Sequence, residues 1–188
     1  ISHSDKSVRM VFGDGGTATL IKSIKNNNPV IFDFGTDGSG YKDLIIKSGA
    51  MRFPSNKDSN ILVQYEPGIS RTDKDMLMKG LSVMNFAIKR VPKSIKNLSK
   101  NIKLKVNRYY LHQANKFMID YLIKKTNLDP SIVPFTANNI GNTGPASIPI
   151  AICLDLKKDI HSECAVLCGF GVGFSWATCN IDLSRVEY

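Results

Sequence analysis

Apolar positions recur along this chain with two periods, and the switches between them mark out the elements. Val8 to Phe12 is a short apolar run that ends in the turn cluster Gly13-Asp14-Gly15-Gly16. Thr17, Thr19 and Ile21 alternate with Ala18 and Leu20, the two-residue period of a strand, and Val30 to Phe34 predicts another, closed by GTDGSG. Residues 41 to 70 carry Gly, Pro, Asn and Ser with weak periodicity and read mostly as loop. Met76, Leu77, Leu81, Met84 and Ile88 then fall near one face of a helix over 72–91. Thr72 would cap it, with Asp75 three residues on as an acidic variant of the capping box. Pro92 is expected to interrupt that helix, and a second, basic helix follows.

The second half of the chain carries clearer signals. Val106 to Leu111 predicts a strand, Ala114 to Lys125 a helix, and Asp129-Pro130 a loop. Val133 to Thr136 reads as a strand leading into NNIGNTG. Pro145 suits the first turn of a helix that continues from Ala146 to Leu156. Ala165 to Phe170 and Phe174 to Ile181 are two strands joined through Gly171 and Gly173, which predicts an antiparallel pair. Strands alternating with helices give an α/β architecture, a mixed sheet flanked by helices. Without an internal repeat or linker, residues 1–188 read as one domain.

Composition narrows the partners. The 43% hydrophobic content is that of a globular protein, and no apolar run approaches the roughly 20 residues of a membrane-spanning helix. The opening ISHSDKSVR is polar, unlike a signal peptide, and the absence of an initial Met suits a fragment or a processed product. Cys153, Cys164, Cys168 and Cys179 lack the spacing of a zinc site and read as core thiols in a reducing cytoplasm. The net charge of +9 calls for an anionic partner. It is unevenly placed: Lys89 to Arg108 holds eight basic residues and no acidic one, with Lys89, Lys93, Lys96 and Lys100 at helical spacing. Ile88, Val91, Ile95, Leu98 and Ile102 interleave as an apolar stripe, so the lysines form either a solvated face or a docking surface for an acidic partner.

Three segments carry candidate chemistry: LHQAN at 111–115, GNT at 141–143 and GFGVG at 169–173. Each falls just after a strand or before a helix, where α/β enzymes place functional groups. A neutral imidazole N–H at His112 and an amide N–H at Asn142 are both donors. Two donors converging on one carbonyl oxygen would stabilise an enolate or oxyanion, and the glycine-rich turn could add backbone N–H groups. Taken singly, a satisfied core histidine, a turn asparagine and an ordinary hairpin would leave the same traces.

FGDGG at 12–16, MKGLSVMNFA at 78–87, HQAN at 112–115, GNTGPASIP at 141–149 and GFGVGFSW at 169–176 occur in one order, and together they resemble the C-terminal half of 3-oxoacyl-(acyl-carrier-protein) synthase III. The resemblance covers essentially the whole chain. It implies a thiolase-like fold and a decarboxylative Claisen condensation in fatty acid or related acyl biosynthesis. An acyl thioester would condense with malonyl-acyl carrier protein, using no metal or redox cofactor beyond the coenzyme A or phosphopantetheine of the substrates. The family's site is a cysteine, a histidine and an asparagine. The latter two match His112 and Asn142, while the cysteine lies upstream of the FGDGG segment, so this chain on its own is expected to be inactive. The resemblance further implies a backbone oxyanion donor at Val172 and substrate contacts at Gly80, Met84, Asn115, Lys6 and Phe170. Lys124 and Lys125 match basic positions at which the carrier protein docks. Phe117 stands where relatives often have Arg, Met84 where many have Phe, and GNTGPAS replaces the more usual GNTSAAS. A homodimer in the cytoplasm is implied. Two other functions fit the same residues: a related acyltransferase with a non-malonyl acceptor, and a non-catalytic partner that binds carrier protein.

Overall fold

A computed structural model describes residues 1–21 and 29–187. Its frame is a four-stranded sheet in the order β1-β8-β7-β6. The strands are β1 (Phe32–Thr36), β6 (Arg108–Leu111), β7 (Ala165–Gly171) and β8 (Ser175–Ile181). Alternation along these strands sends side chains to opposite faces. In β6, Tyr109 and Leu111 enter one apolar cluster and Tyr110 a second. In β7, Val166, Cys168 and Phe170 join the first, whereas Ala165 and Leu167 turn to the other face. The larger cluster lies under α2 (Gly80–Ser99) and α3 (Lys116–Thr126), and the smaller one under α5 (Ser147–Leu156). β7 and β8 pair antiparallel across a tight turn, as their spacing predicts, and β6 runs parallel to β7 because α3 and α5 lie in the connection between them. At the sheet's edge Phe32 and Phe34 project to solvent, 60% and 77% exposed.

The first half departs from its expected elements. Residues 17–21 form no strand; Leu20 and Ile21 are almost fully exposed, so alternation there buries nothing. The weakly patterned 41–70 stretch instead contributes β2 (Leu44–Ile46), β3 (Val63–Glu66) and most of β4 (Ile69–Arg71). β3 and β4 pair as a hairpin, and β2 pairs with β5 (Met76–Met78), taking the residues expected to start the helix. Thr72 N and Oγ1 do bond Asp75 Oδ2, both at 2.9 Å, but the bonds close a turn into β5 and cap no helix. α2 begins at Gly80 and runs through Pro92 to Ser99. Proline forfeits one backbone bond and strains the turn before it, at a cost of about 3 kcal/mol. Phe86, Ala87, Val91, Ser94, Ile95 and Leu98 are buried on the inner face, and each large apolar side chain contributes about 1.5–3 kcal/mol, so burial prevails over the break. Lys89, Lys93, Lys96 and Lys100 lie exposed on the outer face.

Two short helices complete the chain, α1 (Lys6–Arg9) and α4 (Ala137–Ile140). Residues 133–136 form an irregular crossing in place of the expected strand, held from the side by a glutamine described below. No helix among the described residues is long and apolar enough to cross a membrane.

Candidate functional site

The HQAN segment begins where β6 ends, and each of its polar residues has a separate task. The His112 backbone N–H still reaches Cys168 O on β7 at 2.8 Å, so the imidazole stands on the sheet's edge in a fixed position. Its Nδ1 lies 2.8 Å from the hydroxyl of Ser147, the first residue of α5, and the edge of one ring faces the other where it meets Phe170, 5.3 Å between centroids. Burial depresses the His112 pKa to about 4, because the charged imidazolium would lose its hydration there. The imidazole is therefore neutral at pH 7.

Gln113 is fully buried. Its Nε2 donates to Leu111 O and Pro134 O at 2.7 and 3.2 Å, and its Oε1 accepts from Thr136 N at 2.8 Å. It thereby pins the 133–136 crossing to β6 and sets where the chain enters α4. Asn115 caps α3, its Oδ1 accepting from Met118 N at 2.8 Å, which fits its place before an apolar helix.

Asn142 is held from the far end of the sequence. Its N–H donates to Val11 O at 2.9 Å, and its carbonyl accepts from Gly13 N at 3.0 Å. The approach is so close that a Cβ on Gly13 would stand 1.8 Å from Ile140 O. Gly141, at φ +69°, meets Gly13 N from the other side, so glycine is required on both strands of the contact. Asn142 Oδ1 accepts from Gly144 N at 3.0 Å, which turns the amide so that Nδ2, a donor, is its free end. Next to it, Thr143 Oγ1 is buried with no partner among the described residues. Asn115 and Asn142 line one open cleft together with Met10, Val11, Phe135 and Asn139; His112 lies outside that lining.

The other expected positions are more scattered. Val172 is 65% exposed in the β7–β8 turn, where the positive φ falls on Gly173, so valine is accommodated without strain. Phe170, two residues before, is the one that contacts His112. Gly80 opens α2 with open space around it, and Met84 packs half-buried against the larger cluster. Lys6 sits on α1, its stem against Gly68 of the β3–β4 turn. Lys124 and Lys125 are exposed in the last turn of α3, and Phe117 is 65% exposed at its start. Of the cysteines, Cys164 and Cys168 are buried; burial pushes the Cys168 thiol up to about 12 and raises Cys164 and Cys179 as well. No cluster of three or more potential metal ligands occurs among the described residues. Ser147, Gln113 and Gly13 escape a reading of the sequence: each lies inside or beside a recognised motif, but only the fold shows what it touches.

A family model described as 3-oxoacyl-[acyl-carrier-protein (ACP)] synthase III C terminal matches residues 101–183, the stretch that holds β6, α3, α5, β7 and β8. A Campylobacter jejuni protein named as a 3-oxoacyl-[acyl-carrier-protein] synthase 3 is 34% identical over 181 residues, covering 92% of this chain and 49% of that protein. The chain belongs to the 3-oxoacyl-acyl-carrier-protein synthase III family. A β-ketoacyl-[acyl-carrier-protein] synthase III of Clostridium tetani is 30% identical over 182 residues, 94% of this chain and 54% of its own length. A crystal structure of a 3-oxoacyl-(acyl-carrier-protein) synthase III superposes with a TM-score of 0.83 at 32% identity, over 97% of this chain and 56% of that one. The fold is thus the α/β, thiolase-like one that the motifs imply. The chain spans about half the length of the curated relatives it matches.

Proposed function

We propose that this chain supplies the histidine–asparagine part of a site for decarboxylative Claisen condensation, joining an acyl thioester to a malonyl group on acyl carrier protein. The observation that carries the reading is the pair of free donors. His112 is neutral with Nδ1 already engaged, and Asn142 is turned so that Nδ2 is left without a partner among the described residues. Both are anchored to the few residues that open α5, Asn142 through Gly144 and His112 through Ser147. When CO₂ leaves the malonyl group, negative charge gathers on the thioester oxygen as the enolate forms. In this reading both donors reach that oxygen and gain strength in the transition state, the condition for catalysis. The enolate carbon then attacks the acyl group, and the thiolate that carried it departs.

In this reading that thiolate belongs to a cysteine outside this chain, and burial raises the thiol pKa of Cys164, Cys168 and Cys179 here. Residues 1–188 act in this reading as the C-terminal thiolase-like domain of a cytoplasmic, homodimeric acyltransferase that needs no metal or redox cofactor. Val172 N–H serves the acyl carbonyl, Gly80, Met84, Asn115 and Phe170 the pantetheine arm, and Lys6 the nucleotide end of coenzyme A. Given an acyl-CoA and malonyl-carrier protein, the full-length protein is expected to release CO₂ and 3-oxoacyl-carrier protein. This chain by itself is expected to gain no acyl mass on intact-protein mass spectrometry. A stoichiometric acyl adduct on any of its four cysteines overturns the assignment.

Lys124 and Lys125, exposed and free of ion pairs among the described residues, are the proposed contact for the acidic carrier protein. Reversing both charges should weaken carrier-protein binding about tenfold or more at low salt and flatten its salt dependence, as loss of steering charges does. Titration calorimetry at two ionic strengths checks this. Unchanged affinity moves the docking surface elsewhere.

A further inference from the structure

Among the described residues Ser147 is the one side chain bonded to the His112 ring, and its own surroundings decide which way that bond runs. The residue is 1% exposed, so water cannot complete its hydrogen bonding. A hydroxyl has one proton to donate and two lone pairs to accept with. The Gln113 backbone N–H donates to Ser147 Oγ at 3.4 Å, which takes one of those lone pairs. The hydroxyl proton then needs an acceptor, and His112 Nδ1 at 2.8 Å is the one within reach among the described residues. If the ring instead donated from Nδ1, Ser147 would receive two protons and bury its own without a partner, the costly outcome for a buried donor. A neutral ring that accepts at Nδ1 carries its proton on Nε2.

We propose that Ser147 is a positioning residue: through Gln113 N–H, Ser147 Oγ and His112 Nδ1 it locks His112 as the Nε2–H tautomer, so that the ring can donate to a developing oxyanion and cannot act there as a base. The direction of the chain rests on geometry alone; its catalytic meaning rests on the condensing function proposed above. Phe170 packs against one flank of the ring in a T-shaped contact, 5.3 Å between centroids. Because Ser147 opens α5 and Asn142 lies five residues before it, one short segment orients both donors.

The test reads the tautomer and the activity separately. In ¹⁵N-histidine-labelled chain at pH 7, long-range ¹H–¹⁵N correlation should show His112 with a protonated Nε2 and a hydrogen-bonded, unprotonated Nδ1. Ser147→Ala should shift the Nδ1 resonance toward that of an unbonded ring nitrogen and populate the Nδ1–H form, whereas Ser147→Thr, which keeps the hydroxyl, should restore the native pattern. A wild-type spectrum with the proton on Nδ1 overturns the proposal, even if no variant folds. In the full-length protein Ser147→Ala should lower kcat for malonyl decarboxylation about 10–100-fold, the scale on which loss of the partner that orients a metal-bound histidine acts, with KM nearly unchanged. A native tautomer in a protein that decarboxylates nothing sinks the condensing function and leaves the lock standing. Normal decarboxylation in Ser147→Ala with an altered tautomer overturns the lock's catalytic role.

Discussion

Replacing either His112 or Asn142 by alanine in the full-length protein is expected to cut malonyl-carrier-protein decarboxylation by about 10²–10³, the usual cost of removing one oxyanion donor. The reason is the direction in which each side chain is held. Gly144 N occupies the asparagine's oxygen and Ser147 occupies the histidine's Nδ1, which leaves an N–H on each for the substrate. Acylation of the cysteine by acyl-CoA should fall far less, because in the proposed mechanism backbone donors, and not these two side chains, serve the carbonyl attacked in that step. Changing both residues together should cost much less than the product of the single losses, since they serve one transition state. Rates of ¹⁴CO₂ release and of acyl-enzyme formation, measured separately, distinguish the steps. Decarboxylation at the normal rate in both variants removes the condensing function and favours an acyltransferase with another acceptor.

The largest expected effect on stability lies at the opposite end of α5. Asp155 is buried there, with Oδ2 accepting from Arg108 Nε at 2.8 Å and from Tyr110 OH at 2.9 Å. Burial and the adjacent carboxylate push the Tyr110 pKa well above its usual value, so the phenol stays a donor. Asp155→Ala leaves the Arg108 side chain, 13% exposed, without its counter-charge and a buried phenol without an acceptor. Breaking one side of such a pair costs about 3–5 kcal/mol. Urea unfolding followed by circular dichroism should show this as a lower midpoint at unchanged slope. Asp155→Asn, which still accepts from Tyr110, should lose less. Arg108→Met, Tyr110→Phe and Asp155→Leu combined should recover most of the loss, because apolar groups replace a buried ion pair at little cost once the phenol that needed the carboxylate is gone as well. A loss under about 1 kcal/mol for Asp155→Ala would place the ion pair among the weak surface kind.

The sequence discloses this protein unevenly, and contact distance explains why. β6, α3, β7 and β8 follow from local pattern: each has a clean period, and the β7–β8 pairing is set by a turn of a few residues. β2 and β5 have no such signal, since Leu44–Ile46 becomes a strand only when Met76–Met78 arrives beside it, some thirty positions later. The same pairing takes Met76 and Leu77 away from the helix their spacing suggests. Pro92 misleads in the opposite sense, because the sequence shows the break but not the buried face that overrides it. At the site, His112 and Asn142 are legible as motif residues. Ser147 is not: a serine at the start of a helix reads as a cap, and nothing in the order of residues connects it to a histidine thirty-five positions earlier.

The two hydrogen bonds that Asn142 makes to Val11 and Gly13 bear on what its motif can and cannot guarantee. A polypeptide trimmed to begin after residue 13 would keep HQAN, GNT and the glycine-rich turn, and a search for those three motifs would still find them all. The loop that carries Asn142 would nevertheless have lost the strut that fixes its backbone. Presence of the signature residues is therefore no assurance of a working site. The segment at the front of the chain belongs to the asparagine as closely as its own neighbours do.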